Sequence, residues 1–187
     1  SVYSESKNLI KNDSLEMEKG SKDAPIVIVE YASFTCPHCA SFHKDVFKKI
    51  EKEYIEKGQV RFIYREIYFD APGLWAGLIA RCNNNSKYFG IINLLYEKQE
   101  LWTMANNEKE MIEKLLSIAK QAGIEKKDAL NCLNDKDKAL ELVDFMKYNV
   151  ENDNITSTPS LIINGELFSN MSYTDLKEKI DSILTNI

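Results

Sequence analysis

Two cysteines stand two residues apart at Cys36-Pro37-His38-Cys39, between a run of strand character and a run of helical character. The run before them, APIVIVEYASF from Ala24, is short and rich in Val and Ile. It reads as a buried strand over about residues 26–32. After the pair, Phe42, Val46, Phe47, Ile50 and Tyr54 fall on one helical face. Lys44, Lys48, Lys49 and Glu51 take the other face, and Gly58 ends the run. A second strand follows in QVRFIYREIYF, roughly residues 59–67. Strand, helix and strand in this order predict two parallel strands with a helix packed across them. Whatever fold the chain adopts must therefore hold a dithiol at a strand-to-helix corner.

Pro72-Gly73 breaks the pattern, and helical periodicity then runs to about Asn154. The candidate helices cover about residues 74–83, 87–102, 107–122, 126–133 and 136–151. In the last of these Ala139, Leu140, Leu142, Val143, Phe145 and Met146 supply the apolar face. Strand signals return in a short hairpin from Pro159 to Phe168, turning at Asn164-Gly165, a pair suited to φ > 0. Ser172 is placed to cap a final amphipathic helix, with Asp175 three residues on. These signals predict an α/β unit over about 14–70 and 156–187, interrupted by a helical insertion at 71–155 and preceded by a loose arm at 1–13. The 187 residues suffice for one sizeable core.

Lys and Arg number 24 against 29 Asp and Glu, a net charge of −5, which argues against a nucleic-acid partner. No apolar run is long enough to span a bilayer. The opening SVYSESKNLIKNDSLEMEKG has no basic-then-apolar pattern, so an export signal is either removed from this sequence or was never there. Cys82 and Cys132 are isolated from each other and from the close pair. Bonded together they would place the protein in an oxidising compartment; as free thiols they would be small core hydrophobes.

The corner position dictates the chemistry of the pair. Cys36 stands at a helix N-terminus, where unpaired N–H groups and the macrodipole favour an anion. Its thiol is expected to ionise below the free value of roughly 8.5. Cys39, one turn inward, suits a resolving thiol that attacks a mixed disulfide at Cys36. Pro37 fits the first helical turn, where its missing N–H would have no partner. His38, when protonated, adds positive charge beside the sulfur. A stabilised thiolate stabilises the reduced form and makes the disulfide a stronger oxidant; roughly 30 mV corresponds to 1.4 kcal/mol. The alternatives are half of a zinc site or a structural staple, but a four-thiolate site needs a second close pair. Thr158-Pro159 opens the late hairpin, and a proline entering a strand signals an edge, a bend or a cis peptide, with an ordinary trans turn as the alternative. Leu74, Trp75, Leu78, Phe168 and Met171 could line an apolar surface for unfolded substrates, but core packing is the expectation.

FTCPHC after a strand, a helical insertion, and Thr-Pro before a short strand together resemble the thioredoxin superfamily. CPHC combined with the insertion is similar to the DsbA family of bacterial periplasmic thiol oxidases, in an order of elements that matches over about residues 20–187. The resemblance implies an α/β thioredoxin fold with an inserted all-helical domain. It makes Cys36 the nucleophile, Cys39 the resolving thiol and His38 the residue that tunes the potential, with Pro37 between them. It makes Pro159 a cis-proline and Thr158 a source of backbone hydrogen bonds to substrate. Glu30, six residues before Cys36, stands where the family keeps a buried acid that moves protons to and from the inner cysteine; a strand glutamate reaching solvent is the alternative. His43 departs from the family's acidic residue at its position and is expected on the helix surface. Cys82 and Cys132 depart too, and are expected to form a structural disulfide. No metal or organic cofactor is implied. The implied partners are reduced or unfolded exported proteins and a DsbB-like membrane reoxidant, for a periplasmic monomer with room for a membrane tether. A disulfide isomerase or reductase of the same fold, a glutathione-dependent kappa-class enzyme, or a zinc-binding module are the alternatives.

Overall fold

Strand β2 (Ile26–Ala32) is buried on both faces, which explains why its sequence is almost unbroken Val and Ile. A computed structural model describes residues 11–187. It pairs β2 in parallel with β3 (Val60–Glu66) and antiparallel with β4 (Ser160–Ile163). β5 (Glu166–Phe168) extends the sheet beyond β4, and β1 (Met17–Lys19) lies antiparallel to β3, for an order β1-β3-β2-β4-β5. The two-residue alternation of a strand divides the side chains. Ile26, Ile28 and Ala32 join the main core. Val27, Val29 and Tyr31 face a smaller cluster with Ile63, Ile155 and Met146.

The expected arm at 1–13 lies outside the described residues up to residue 10; beyond it, Asn12 caps a single 3-10 turn at Asp13–Leu15. Three-residue β1 was not foreseen, because so short a strand carries no readable alternation.

Helix α1 (Pro37–Phe42) runs on through a π-type turn at His43–Phe47, a short α2 (Lys48–Ile50) and a second π-type turn at Glu51–Ile55. Phe42, Val46, Phe47, Ile50 and Tyr54 are all buried, as their spacing predicts. Gly58, at φ +74°, then turns the chain into β3. The late hairpin turns at Asn164 and Gly165, both at positive φ, and Asn164 accepts a hydrogen bond from the Val27 amide at 2.8 Å. α9 (Tyr173–Thr185) starts at its Ser172 cap and closes over the sheet.

Between β3 and β4 lie α3 (Ala71–Ala80), α4 (Tyr88–Glu97), α5 (Gln99–Thr103), α6 (Glu108–Gln121), α7 (Lys126–Leu133) and α8 (Lys136–Asn152). The single helix expected over 87–102 is two, broken at Lys98. The Trp102 indole donates to the Leu95 carbonyl at 2.9 Å, the acceptor that a continuing helix would give to the Gln99 amide. A buried ion pair ties this block to the sheet. Arg81 meets Glu66 of β3 at 2.7 Å, and Tyr68 and Tyr88 donate to the same carboxylate. Ions this deeply buried are tolerated because every carboxylate oxygen has a partner. Gly77 is needed beside them: a Cβ there would stand 2.3 Å from Glu66 Oε1.

Cys82 and Cys132 are disulfide-bonded, with Cα atoms 5.8 Å apart, and join the turn after α3 to α7. The bond closes a loop with a sequence separation of 50. On loop-closure entropy, replacing both cysteines by alanine lowers unfolding free energy by about 4 kcal/mol. Urea denaturation of the double variant measures this, and a loss below about 1 kcal/mol would show that the bond adds little to an already closed helical block.

Candidate active site

β2 delivers the chain to the end of the sheet, and the next residues turn sharply into α1. Cys36 is the N-cap of that helix, in extended conformation, and Pro37 occupies its first turn. The Cys36 amide donates to the Ser33 carbonyl at 3.2 Å, and the Cys36 carbonyl accepts the amides of Cys39 and Ala40, both at 3.1 Å. Cys36 is half-buried and Cys39 buried; both are free thiols. Across from them the Thr158–Pro159 peptide is cis, and the Thr158 carbonyl lies 4.0 Å from Cys36 Sγ.

The two sulfurs differ sharply in acidity. The Cys36 thiol is lowered to about 5. The hydrogen bond from the Cys39 thiol contributes most, and the Thr158 side chain and the backbone N–H groups of Cys39 and His38 add to it against an opposing effect of burial. The same bond acts in reverse on Cys39, and together with burial holds its thiol far above the ordinary range. Helix position alone, the cause apparent in the sequence, is therefore a secondary contributor. His38 itself is exposed on a hollow it shares with Phe42, Asp45, Met171 and Tyr173. It acts on Cys36 through its backbone N–H.

Glu30 is fully buried. It sits opposite Tyr64 on β3 and Leu161 on β4. Neither carboxyl oxygen has a hydrogen-bond partner. Burial pushes its carboxyl up to about 8, and its charge in turn raises Cys39. The solvent-facing alternative for this residue is thereby excluded. Phe34, Tyr64 and Tyr96 surround this interior; the two tyrosine hydroxyls are hydrogen-bonded to each other, and Tyr96 also donates to the Ser33 carbonyl at 3.3 Å.

His43 is corrected by the structure. It is 3% exposed, not on the surface: it falls within the apolar stripe of Phe42, Val46, Phe47 and Ile50, where Tyr96 of α4 packs against it, while Lys44, Lys48 and Lys49 on the other face stay exposed. Its ring stacks on Phe47 and lies against Tyr96, and its Nε2 is 2.7 Å from Asn93 Oδ1. Burial lowers its pKa to about 4, so it is neutral at physiological pH. With Pro37, Ala40, Ser41, Tyr96 and Leu101 it lines a groove of about 830 Å³ alongside α1. Of the apolar residues flanking the site, Leu78 is buried in a satellite cluster, while Trp75, Phe168 and Met171 are half-buried against the main core and Leu74 against the satellite.

Sequence reasoning missed three residues that hold the corner. Gln99 is buried and donates to backbone carbonyls of Phe34 and Cys36. Tyr96 lies beside Cys39, and Asp70 both caps α3 through the Gly73 amide and accepts from the Thr35 hydroxyl. Only Asp70 left a readable signal, as a cap residue before Ala71-Pro72. Among the described residues no cluster of three or more His, Cys, Asp or Glu side chains is arranged to hold a metal ion.

An acidic thiol at a helix N-terminus, a buried partner thiol and a facing cis-proline have the chemistry that dithiol–disulfide exchange requires. A thioredoxin profile matches residues 13–182, and the chain belongs to the thioredoxin family. It is 25% identical to Wolbachia pipientis alpha-DsbA1, with a TM-score of 0.84 over 95% of each chain. It superimposes on oxidised BdbD from Bacillus subtilis with a TM-score of 0.76, at 27% identity over 90% of this chain and 92% of that one. A Rickettsia bellii protein that carries the name protein-disulfide oxidoreductase is 29% identical over 93% of this chain; the chain spans 66% of that protein's length. Disulfide bond formation protein D of Bacillus subtilis is 28% identical over 88% of this chain and 75% of its own.

Glu30 gives the site a pH signature in stability. Its folded pKa of about 8 lies above the ordinary 4.5, so the folded state keeps a proton that the unfolded state releases. The contribution is complete below the ordinary value and is lost as pH rises through about 8. Glu30→Gln removes this loss. In urea denaturation of the reduced protein, the variant and the parent are expected to match near pH 4 and to separate by pH 9. There the variant should be more stable by on the order of 4 kcal/mol. Parallel pH curves would mean that the carboxyl is ionised or solvated in the folded state.

Proposed function

We propose that the protein is a thiol:disulfide oxidase that donates a Cys36–Cys39 disulfide to reduced exported proteins. The observation that carries this reading is the divergence of the two thiols, one lowered to about 5 and the other raised. An anion at Cys36 exists only in the reduced form, so whatever stabilises it drives the disulfide to accept electrons. The family relationship and the relatives' names support a disulfide-exchange enzyme; the oxidising direction is inferred from the electrostatics.

A substrate thiolate attacks Cys36 Sγ, forming a mixed disulfide and releasing Cys39 as a thiolate. Cys39 is poorly suited to hold that charge, and in this reading Glu30, protonated below about 8 and close enough to act on the Cys39 pKa, supplies the proton. A second substrate thiolate then attacks the substrate sulfur of the mixed disulfide, and Cys36 leaves as a stabilised anion. The substrate loses two electrons and the site gains them. Thr158 and Pro159 present a backbone edge beside Cys36 on which an extended substrate can pair. His38 tunes the couple from the helix end, and Pro37 keeps the first turn free of an unpaired donor. A cycle requires reoxidation, which we assign to a DsbB-like membrane protein in the periplasm. Residues 71–155 act as the helical insertion, and 14–70 with 156–187 as the thioredoxin-like unit. No helix among the described residues is long and apolar enough to cross a membrane.

Equilibration with glutathione tests the direction. The Cys36–Cys39 pair should be reduced by far less glutathione than an ordinary protein disulfide needs, and Cys36→Ser should abolish both mixed-disulfide formation and exchange. A pair that stays oxidised in excess reduced glutathione would identify a reductant instead.

A further inference from the structure

Gln99 is the first residue of α5, and its side chain is buried at the end of the sheet. Its amide nitrogen donates twice, to the Phe34 carbonyl at 2.7 Å and to the Cys36 carbonyl at 3.0 Å. Those two carbonyls bracket the corner that leads from β2 into α1. Their oxygens converge on one nitrogen, so without that donor two negative dipole ends would face each other in a dry interior. The break at Lys98 is what turns Gln99 toward them. Trp102, fully buried, holds the short helix through its bond to the Leu95 carbonyl, and the Thr103 hydroxyl closes on the Gln99 carbonyl at 2.6 Å.

We propose that Gln99 is a positioning residue for the redox centre. By fixing the Phe34 and Cys36 carbonyls, it holds the first turn of α1 so that the Cys36 sulfur stays against the Cys39 thiol and the first backbone N–H groups. Gln99 touches neither sulfur and acts through the corner. The role rests on the reading of Cys36 as the nucleophile.

Its loss has a specific consequence. The Cys36 carbonyl keeps its bonds from Cys39 and Ala40, but the Phe34 carbonyl is left buried without its donor. The corner must then rotate to find another partner, carrying the first turn with it. The N–H groups and the Cys39 thiol go out of line with the sulfur. That misalignment weakens the reduced, anionic form and leaves the disulfide form, which carries no charge there, unaffected. A purely structural role would lower stability and leave the couple unchanged.

The test compares Gln99→Leu, Gln99→Asn and Leu142→Ala with the parent protein. Leu142 is buried in a satellite cluster with Leu15, Leu78 and Phe145, and serves as the control for lost stability. Ultraviolet titration of the Cys36 thiolate in the reduced proteins and equilibration with glutathione are the readouts. Gln99→Leu should raise the thiolate midpoint by about one pH unit and weaken the oxidant about tenfold against glutathione. Gln99→Asn, whose amide falls one methylene short of the carbonyls, should shift both in the same direction by less, and decides the matter if the leucine variant does not fold. Leu142→Ala should lower the unfolding midpoint and move neither readout. Glutamine variants that titrate and equilibrate like the parent overturn the inference while leaving the oxidase reading in place. A parent whose Cys36 titrates like a free thiol removes that reading, and the role of Gln99 with it.

Discussion

The proposed chemistry depends on the interaction between the Cys39 thiol and the Cys36 sulfur at the start of α1. It lowers one thiol and raises the other in the same stroke. One sulfur is thereby ready to leave as an anion and the other must be protonated when it leaves. The proposed direction of exchange rests on that asymmetry. The interaction requires two cysteines one helical turn apart with the outer one at the N-cap, and the strand-to-helix corner supplies this spacing.

Around the pair the protein combines a dry interior with few but specific polar groups. Glu30 is placed under Cys39 without a partner, an arrangement that is costly when ionised and serviceable when protonated. Glu66, by contrast, is equally buried but fully satisfied by Arg81, Tyr68 and Tyr88, and it fastens the helical block to β3. The two glutamates show opposite results of burial: one has its pKa raised for want of a partner, the other is ion-paired and hydrogen-bonded. The helical block also reaches the corner through Gln99, Tyr96 and Asp70, so the redox geometry is shared between sheet and helices.

Much of the frame was legible in the chain. The Val and Ile run, the apolar stripe from Phe42 to Tyr54, the Asn164-Gly165 turn and the Ser172 cap each carry a local rule, and each element formed where its rule placed it. The site was legible in its sulfurs, because CPHC after a strand leaves few geometries open; the cis form of Thr158-Pro159 was implied only by the family resemblance, since a trans turn fits the residues as well. What stayed hidden depends on tertiary partners. His43 is polar in type but sits on the apolar stripe beside Phe47, and the side chain that covers it, Tyr96, comes from a distant helix. The break at Lys98 follows from an indole taking a backbone carbonyl, which periodicity does not register. Gln99 carries no signal at all, since a glutamine in a helical run is ordinary until two carbonyls converge on it.

The relative stability of the reduced and oxidised forms tests the central claim most directly. Ionised Cys36 stabilises only the reduced fold. Its folded pKa of about 5 lies below the ordinary 9.0, so this stability is present above the ordinary value and is lost as pH falls through about 5. The gain is at most about 1.4 kcal/mol per pH unit, and less in practice because the half-buried sulfur is screened by solvent. Urea denaturation of both forms at pH 7 and pH 5 should find the reduced protein more stable at neutral pH, with its advantage shrinking at pH 5. An oxidised form that is the more stable at pH 7, by a margin that does not change with pH, would contradict the account.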